Sequence, residues 1–420
     1  MRSCFNRFRL GLRPQPAGRL AAIYNYEHED TGMPMRDEIK QLQDEMVSWR
    51  RDLHAHPELG FAETRTCTFI QERLKSFAVD EIHGFTGTGV VAVIHGRDGD
   101  EAIGLRADID ALPIPEESGV PYTSTNPGVM HACGHDGHTT MLLGAAKYLA
   151  ASRKFKGTAY LIFQPAEEIG GGRQVVADGL FDRFSMKRIF GMHNMPTMPV
   201  GEFYWRNGEM LAAANFFEIK IVGLGAHAAQ PHFGIDPIVA GSSLVSALQT
   251  IVSRSIDPKH PAVVTIGSFQ AGVAANVIPR EAVLKGTARW FDPRVGETIE
   301  KAIRRMAKLT AENYGATAEV EMHMVAPATV NDEAAMTLAR EAATAVAGSS
   351  AVVEMEDPIM GAEDFSYMLG VKQGAYIMLG AKRPGQLNPM LHHPAYDFND
   401  AILSTGATYW ATLVEQQLSL

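Results

Sequence analysis

The sequence of 420 residues has few cysteines, no long apolar run and no excess of positive charge. Cys4, Cys67 and Cys133 are too few for a disulfide framework, so we expect a reducing cytoplasm as the environment. No apolar stretch approaches the ~20 residues that span a bilayer, which argues against a membrane protein. The net charge of −10 argues against a nucleic-acid partner, because basic surfaces bind phosphate backbones. None of these absences bears on a small-molecule substrate.

Residues 1–35 differ in composition from the rest of the chain. The first 26 residues carry several arginines and no acidic residue, which is typical of an organellar transit peptide. The alternative, which we favour, is a mis-assigned start, with translation beginning at Met33 or Met35. We therefore expect residues 1–35 to be either a disordered N-terminal arm or untranslated, and in both cases to lie outside the fold.

The remaining chain has the composition of a globular protein, with 46% hydrophobic and 20% charged residues overall, and its length predicts two domains. Four buried-strand patterns alternate with helical stretches, which predicts an α/β domain. They lie at residues 88–94, 101–106, 158–163 and 187–192. Residues 211–325 follow the strand–helix–strand–strand–helix–strand order of a ferredoxin-like unit. We therefore predict one domain from 36–210 and 326–420, with residues 211–325 inserted.

The stretch from Met130 to His138, MHACGHDGH, contains three histidines, a cysteine and an aspartate. Thiolate, imidazole and carboxylate groups are ligands for zinc, manganese, cobalt and nickel. By itself the stretch fits a structural metal site or a redox thiol as well as a catalytic centre. Structural sites usually have a second Cys or His pair nearby, and none follows within fifteen residues.

Acidic residues and a histidine follow three of the predicted strands. Open α/β sheets place their sites at the carboxyl ends of strands, so these side chains are expected to meet the cysteine stretch at one sheet edge. The expected set comprises Asp108, Asp110, Cys133, His135, Glu167, Glu168 and His193. Successive side chains of an extended segment point in opposite directions. Of the adjacent acids Glu167 and Glu168, one can therefore face a metal while the other faces a bound water.

Nine blocks of the sequence, in order, resemble one family of metal-dependent amidohydrolases. The blocks are RRDLHAHPELGFAETRT (50–66), LRADIDALP (105–113), MHACGHDGHT (130–139), FQPAEE (163–168), GMHN (191–194), GLGAHAAQPHFGIDP (223–237), ANVIPREAVLKGTARWF (275–291), MGAEDFSYML (360–369) and LHHPAYDFND (391–400). The family includes hippurate hydrolases, N-acyl-L-amino acid amidohydrolases and hydrolases of auxin–amino acid conjugates, and it is related to aminoacylases and di-metal exopeptidases. The resemblance implies a mixed-sheet, di-metal exopeptidase-like catalytic domain with an inserted ferredoxin-like lid that serves dimerisation.

The resemblance also implies two divalent ions per subunit, of manganese, zinc, cobalt or nickel. Their implied ligands are Cys133, His135, Glu168, His193 and His392. Glu167 matches the general base, and Asp110 matches a residue that orients a neighbouring ligand. Asp108 stands where the wider relatives have a ligand histidine, so its role stays open. His393 competes with His392, and the Leu-His-x-Pro spacing of the family selects His392.

Three residues of the insert resemble substrate-contacting positions of the family. His227 matches an oxyanion donor that acts in its own site or in that of a partner subunit, and a plain surface histidine is the alternative. Asn276 and Arg289 match a clamp for the substrate carboxylate. A strand-edge ion pair is the alternative role for Arg289. The pair Glu363–Asp364 either approaches the metal pocket or stabilises a helix N-terminus.

The resemblance implies hydrolysis of the amide bond of N-acyl-L-amino acids, hippurate-like or similar, to a carboxylic acid and a free amino acid. The nearest alternative is a di-metal carboxypeptidase or dipeptidase. Its substrate carries a free amine that requires an acidic partner, for which Glu363 is the only obvious candidate. A binding protein without turnover is a third possibility, but the base and ligand positions are all filled. The family also implies a homodimer or a higher homo-oligomer.

Overall fold

The computed structural model describes residues 36–420, so the predictions for residues 1–35 lie outside it. The helices are α1 (Asp37–Lys40), α2 (Gln43–Ala55), α3 (Thr64–Ser76), α4 (His135–Ser152), α5 (Gly171–Ala177), α6 (Leu180–Arg183), α7 (Pro237–Thr250), α8 (Pro293–Asn313), α9 (Glu333–Ala347), α10 (Ser366–Leu369) and α11 (Leu403–Gln417). The strands are β1 (Glu81–Phe85), β2 (Gly89–His95), β3 (Arg97–Asp108), β4 (Lys156–Gln164), β5 (Arg188–Pro199), β6 (Phe203–Trp205), β7 (Gly208–Leu211), β8 (Ala213–Val222), β9 (Ala226–His227), β10 (Ala262–Ala271), β11 (Val277–Ile278), β12 (Glu281–Trp290), β13 (Thr317–Ala326), β14 (Thr329–Asn331), β15 (Val352–Glu354) and β16 (Gly374–Lys382). No helix within these residues is both long enough and apolar enough to cross a membrane.

An eight-stranded mixed sheet has the strand order β1-β2-β4-β3-β5-β16-β6-β15. Its central strands β4, β3, β5 and β16 are parallel to one another. Strand β2 runs antiparallel to both of its neighbours, β1 and β4. Strand β2 (GVVAVIH) is buried at every position but the last, as expected for a strand covered on both faces. The predicted α/β class with a mixed sheet is confirmed. Because β3 and β4 are parallel neighbours, the residues that follow both strands emerge at the same edge.

Helices cover both faces of this sheet. On one face, α2, α4 and α11 contribute Trp49, Leu149 and Trp410 to a common apolar core. On the other face, Leu180, Phe184 and other apolar side chains form a second core. Helix α4 is buried at almost every position, which is typical of a helix enclosed by other elements. The first turn of α4 is therefore fixed firmly beside the sheet edge.

A four-stranded antiparallel sheet has the order β10-β12-β8-β13, which is the ferredoxin-like arrangement. Helices α7 and α8 begin with proline, and the side chains of Asp236 and Asp292 cap them. Their apolar faces join the sheet in a separate core that includes Phe217, Leu244 and Ile299. The boundaries 211–325 and the role of this unit as a lid or dimerisation domain stay predictions.

The predicted elements differ from the structure at two places. Apolar residues at helical spacing predict one helix from Asp37 to Leu53, but in the structure this helix is interrupted between α1 and α2. The sequence predicted that the strand before His193 ends at residue 192, whereas β5 continues to Pro199. The reason is non-local, because β16 pairs with β5 as far as Pro199. His193 therefore lies within a strand, and its side chain still faces the candidate site.

Candidate metal centre and active site

Cys133 lies in the loop before α4, and His135 is the first residue of that helix. Gly134 between them has φ 98°, a left-handed conformation that glycine adopts without strain. A Cβ at this position would lie 2.5 Å from Asn194 Oδ1 and 2.8 Å from Tyr396 Oη. Only glycine fits here, and it brings the thiol and the imidazole onto one side of a tight turn.

Hydrogen bonds orient the two buried histidines of the cluster. His135 Nδ1 lies 3.0 Å from the backbone oxygen and 3.1 Å from Oδ1 of Asp110. His193 Nδ1 lies 2.7 Å from the backbone oxygen of Asn194. Because these acceptors require a proton on Nδ1, the Nε2 lone pair of each ring is left for a metal ion. His193 Nε2 is 3.4 Å from Cys133 Sγ.

Glu168 and His392 complete the cluster from the opposite side of Cys133. The Glu168 backbone N–H donates to Asp110 Oδ2 at 3.0 Å, so Asp110 holds both His135 and Glu168. Glu168 Oε1 lies 3.3 Å from His392 Nε2. His392 has φ 65°, and its backbone N–H donates to the Ala132 oxygen at 2.8 Å. Unlike the other members of the cluster, its side chain is exposed.

The donor atoms fit a pair of divalent ions. Cys133 belongs to two groups whose ligand atoms lie within 4.8 Å of one another, one with His135 and His193 and one with Glu168 and His392. His135 Nε2 is buried and has no hydrogen-bond partner within residues 36–420. Buried polar atoms normally have a partner, and a cation between the two groups would supply it. Thiolate, imidazole and carboxylate together match manganese, zinc, cobalt or nickel better than magnesium or calcium.

The electrostatics of the cluster also favour a cation. Burial raises the pKa of the Cys133 thiol to about 12, so a nearby positive charge is needed to form the thiolate. Burial and the adjacent His138 keep the pKa of His193 well below its usual value, which leaves that ring neutral. Burial opposes a charge on His135, but Asp108 and Cys133 outweigh it and raise the pKa of His135. The groups around His135 therefore favour a positive charge at this position, which a metal ion in place of the ring proton would supply.

Glu167 lies beside Glu168 on a short 3-10 segment, Glu167–Ile169, that follows β4. Its carboxylate is near those of Glu363 and Asp364, and Glu167 Oε1 accepts from the Asp364 backbone N–H at 3.3 Å. Burial and these neighbouring carboxylates raise the pKa of Glu167 well above its usual value. A raised pKa suits a carboxylate that takes up a proton near neutral pH.

Arg106 on β3 is a buried arginine that the sequence interpretation missed. Its Nη1 lies 2.7 Å from Asp108 Oδ2, and its Nη2 lies 2.9 Å from Glu363 Oε1 and 3.0 Å from Asp364 Oδ1. The hydroxyl of Tyr376 donates to the other oxygen of Glu363. An arginine within the apolar strand IGLRAD was the available signal, because arginine is almost never fully buried without acidic partners.

Both carboxylate oxygens of Asp108 are engaged by neighbouring side chains. Asp108 Oδ2 pairs with Arg106, and Asp108 Oδ1 lies 2.6 Å from His138 Nδ1. His138 Nε2 in turn lies 2.6 Å from Asn194 Oδ1. The structure thus assigns Asp108 to a network that shapes the loop around Cys133.

The three candidate residues of the insert lie apart from this cluster. His227 on β9 is exposed and pairs with Val277 on β11, and the Ala228 N–H donates to the Asn276 oxygen at 3.0 Å. His227 and Asn276 are thus neighbours on one exposed ribbon. Arg289 lies on β12, an inner strand of the four-stranded sheet. Within residues 36–420 no ion pair or hydrogen bond joins these three side chains to the metal cluster.

Arg289 also differs from the alternative that its sequence position allowed. It is half-buried, and burial alone lowers its pKa. No acidic side chain in residues 36–420 pairs with it, so the strand-edge ion pair is not found.

Comparison with known proteins places the chain in a family. Residues 104–416 match the model of peptidase family M20/M25/M40. The chain belongs to this family. It is 41% identical to a hippurate hydrolase of Campylobacter jejuni over 92% of this chain and 100% of the relative. It is 43% identical to an N-acyl-L-amino acid amidohydrolase of Geobacillus stearothermophilus over 68% of this chain and 78% of the relative.

A solved M20 structure supports the same conclusion. It is a dinuclear metal-binding peptidase of Bacillus subtilis, 36% identical, with a TM-score of 0.75 over 90% of this chain and 99% of that chain. The predicted family, the fold class and the assignment as an amidohydrolase are confirmed. The donor set of this M20 chain is accordingly that of a centre for two divalent ions. The roles of the individual residues stay predictions.

Proposed function

We propose that the protein hydrolyses the amide bond of N-acyl-L-amino acids, hippurate-like or similar, to a carboxylic acid and a free amino acid. The observation that carries this proposal is the placement of Glu167 beside the group of five candidate metal donors that includes Cys133. A purely structural metal site has no use for an additional carboxylate held directly beside its ligands. A hydrolytic site requires one, because water must lose a proton when it attacks.

Each residue of the cluster has a distinct task in this proposal. Two ions of manganese, zinc, cobalt or nickel, when bound, would lower the pKa of a water and polarise the scissile carbonyl. The ligands would be Cys133, His135, Glu168, His193 and His392. Glu167 takes the proton from the attacking water and delivers it to the leaving amine. Asp110 holds His135 and Glu168 in place.

The insert supplies contacts to the substrate in this proposal. Arg289 binds the carboxylate of the amino acid with two parallel hydrogen bonds, and Asn276 adds a neutral one. The carboxylate-binding role of Arg289 is supported by the absence of an acidic partner for this arginine within residues 36–420. His227 donates to the oxyanion that develops at the carbonyl. For these contacts residues 211–325 act as a lid, and we propose a cytoplasmic homodimer in which His227 serves its own site or that of the partner subunit.

The environment of Glu363 favours an acylated substrate over a free dipeptide. A free ammonium group needs a carboxylate that is available for binding. The Glu363 carboxylate is buried and already contacts Arg106, the Phe365 backbone N–H and the Tyr376 hydroxyl. A dipeptide would therefore have to displace Arg106 from Glu363.

A substrate panel on metal-stripped protein tests the proposal. N-acetyl and N-benzoyl amino acids are compared with free dipeptides while manganese, zinc, cobalt or nickel is restored one at a time. We expect kcat/KM for the best acylated substrate to exceed that for the matching dipeptide at least about tenfold, or about 1.4 kcal/mol. Absence of turnover of every acylated substrate with all four metals, or a preference for dipeptides, would contradict the proposal.

A further inference from the structure

The turn that carries the two catalytic-site glutamates begins with an unusual backbone conformation. Ala166, directly before Glu167, has φ 59° and ψ 37°, in the left-handed region that residues with a Cβ rarely adopt. Ala166 is fully buried, and a Cβ on Gly60 would lie 3.0 Å from its Cα. The surroundings must therefore hold this conformation in place.

The Ala166 carbonyl oxygen accepts from the Ile169 and Gly171 N–H groups, and Glu63 makes the contact to the Ala166 N–H. The Glu63 side chain is fully buried, and its Oε1 accepts from the Ala166 backbone N–H at 2.8 Å. Its Oε2 accepts from Thr88 Oγ1 at 2.5 Å. No lysine, arginine or histidine within residues 36–420 pairs with this carboxylate. A buried carboxylate without a cationic partner is costly, so its presence calls for a specific task.

Capping of the neighbouring helix is not that task. Glu63 precedes α3, but its side chain makes no capping hydrogen bond there. Glu58 makes those bonds instead, because its Oε1 accepts from the Arg65 N–H at 3.1 Å and its Oε2 from the Thr66 N–H at 2.8 Å. The hydrogen bonds of Glu63 are directed away from α3, to the turn before Glu167 and to Thr88.

We propose that Glu63 is a positioning residue for Glu167, with Thr88 holding its carboxylate. By fixing Ala166, it sets the turn that sends Glu167 towards the reacting water and Glu168 towards the metal. The inference rests on the role of Glu167 proposed above. Glu168 has a second anchor, the bond from its N–H to Asp110 at 3.0 Å. Within the described residues the Glu167 carboxylate accepts one long hydrogen bond, 3.3 Å from the Asp364 N–H, so losing Glu63 affects Glu167 first.

The test is the variant Glu63→Met, which keeps the volume and removes the acceptor. We expect kcat to fall about 10- to 100-fold, because a displacement of about 1 Å can lower a rate that much, while KM and metal content stay unchanged. Glu63→Gln keeps an acceptor for the Ala166 N–H and should restore most of the rate. Glu58→Ala is the matched control, since it loses two backbone hydrogen bonds of α3 without touching the turn, and it should keep the wild-type kcat.

The outcomes separate this inference from the proposed function. If Glu167→Gln keeps turnover, the base assignment fails. If Glu167→Gln is inactive while Glu63→Met has the wild-type kcat, the positioning role alone is overturned. A loss of metal that accounts for the loss of kcat would also overturn it. If Glu63→Met does not fold, the variant Thr88→Val tests the inference instead. We expect it to lose kcat at unchanged metal content. An unchanged kcat in Thr88→Val would overturn the positioning role.

Discussion

The two sheets of this protein each contain an arginine, and the two arginines differ in burial and in their acidic partners. Arg106, in the eight-stranded sheet, is buried and contacts Asp108, Glu363 and Asp364. Arg289, in the four-stranded sheet, is half-buried and has no acidic partner within the described residues. The first arginine completes a site that is organised before substrate arrives. The second remains available for an anion from outside the chain.

The largest expected effect is the loss of stability on replacing Arg106. Arg106→Met leaves three buried carboxylates without their cation, so we expect the free energy of unfolding to fall by about 3–5 kcal/mol. Urea denaturation measures this change. Arg304→Met is the control, because Arg304 forms an exposed pair with Glu300 on α8 and its loss should change stability by about 0.5 kcal/mol or less. Equal effects of the two substitutions would refute the contrast.

At Arg289 we expect a smaller effect, on catalytic efficiency and not on stability. Arg289→Met removes no internal ion pair, so stability should stay near the wild-type value. It should lower kcat/KM for N-acyl amino acids about 10- to 100-fold, mainly through KM, since charge-assisted hydrogen bonds contribute about 1.5–3 kcal/mol. Steady-state kinetics beside a thermal melt distinguish the two effects. A lower melting temperature with an unchanged KM would instead indicate an internal structural role.

The sequence predicted local features of the site well and non-local ones poorly. Cys133 and His135 stand in one short stretch, and Glu167 follows a clear strand pattern, so chain order alone indicated that they meet. The continuation of β5 past His193 depends on pairing with β16, far along the chain, and no local pattern reports it.

Local sequence patterns also did not predict the partners of the buried charged residues. Arg106 meets Glu363 and Asp364 across more than 250 residues, and Glu63 meets Ala166 across 103 residues. The left-handed backbone of Ala166 is another example, since alanine gives no sign of a positive φ. A glycine such as Gly134 does indicate in the sequence that a positive φ is possible.

The central claim is that adjacent Glu167 and Glu168 divide the tasks of base and metal ligand. Measuring bound metal and kcat together for Glu167→Gln and Glu168→Gln tests it most directly. We predict that Glu167→Gln keeps both ions and loses about 10²- to 10⁴-fold in kcat, as expected for a general base. Glu168→Gln should lose bound metal. Wild-type turnover in Glu167→Gln, or equal metal loss in both variants, would contradict the account.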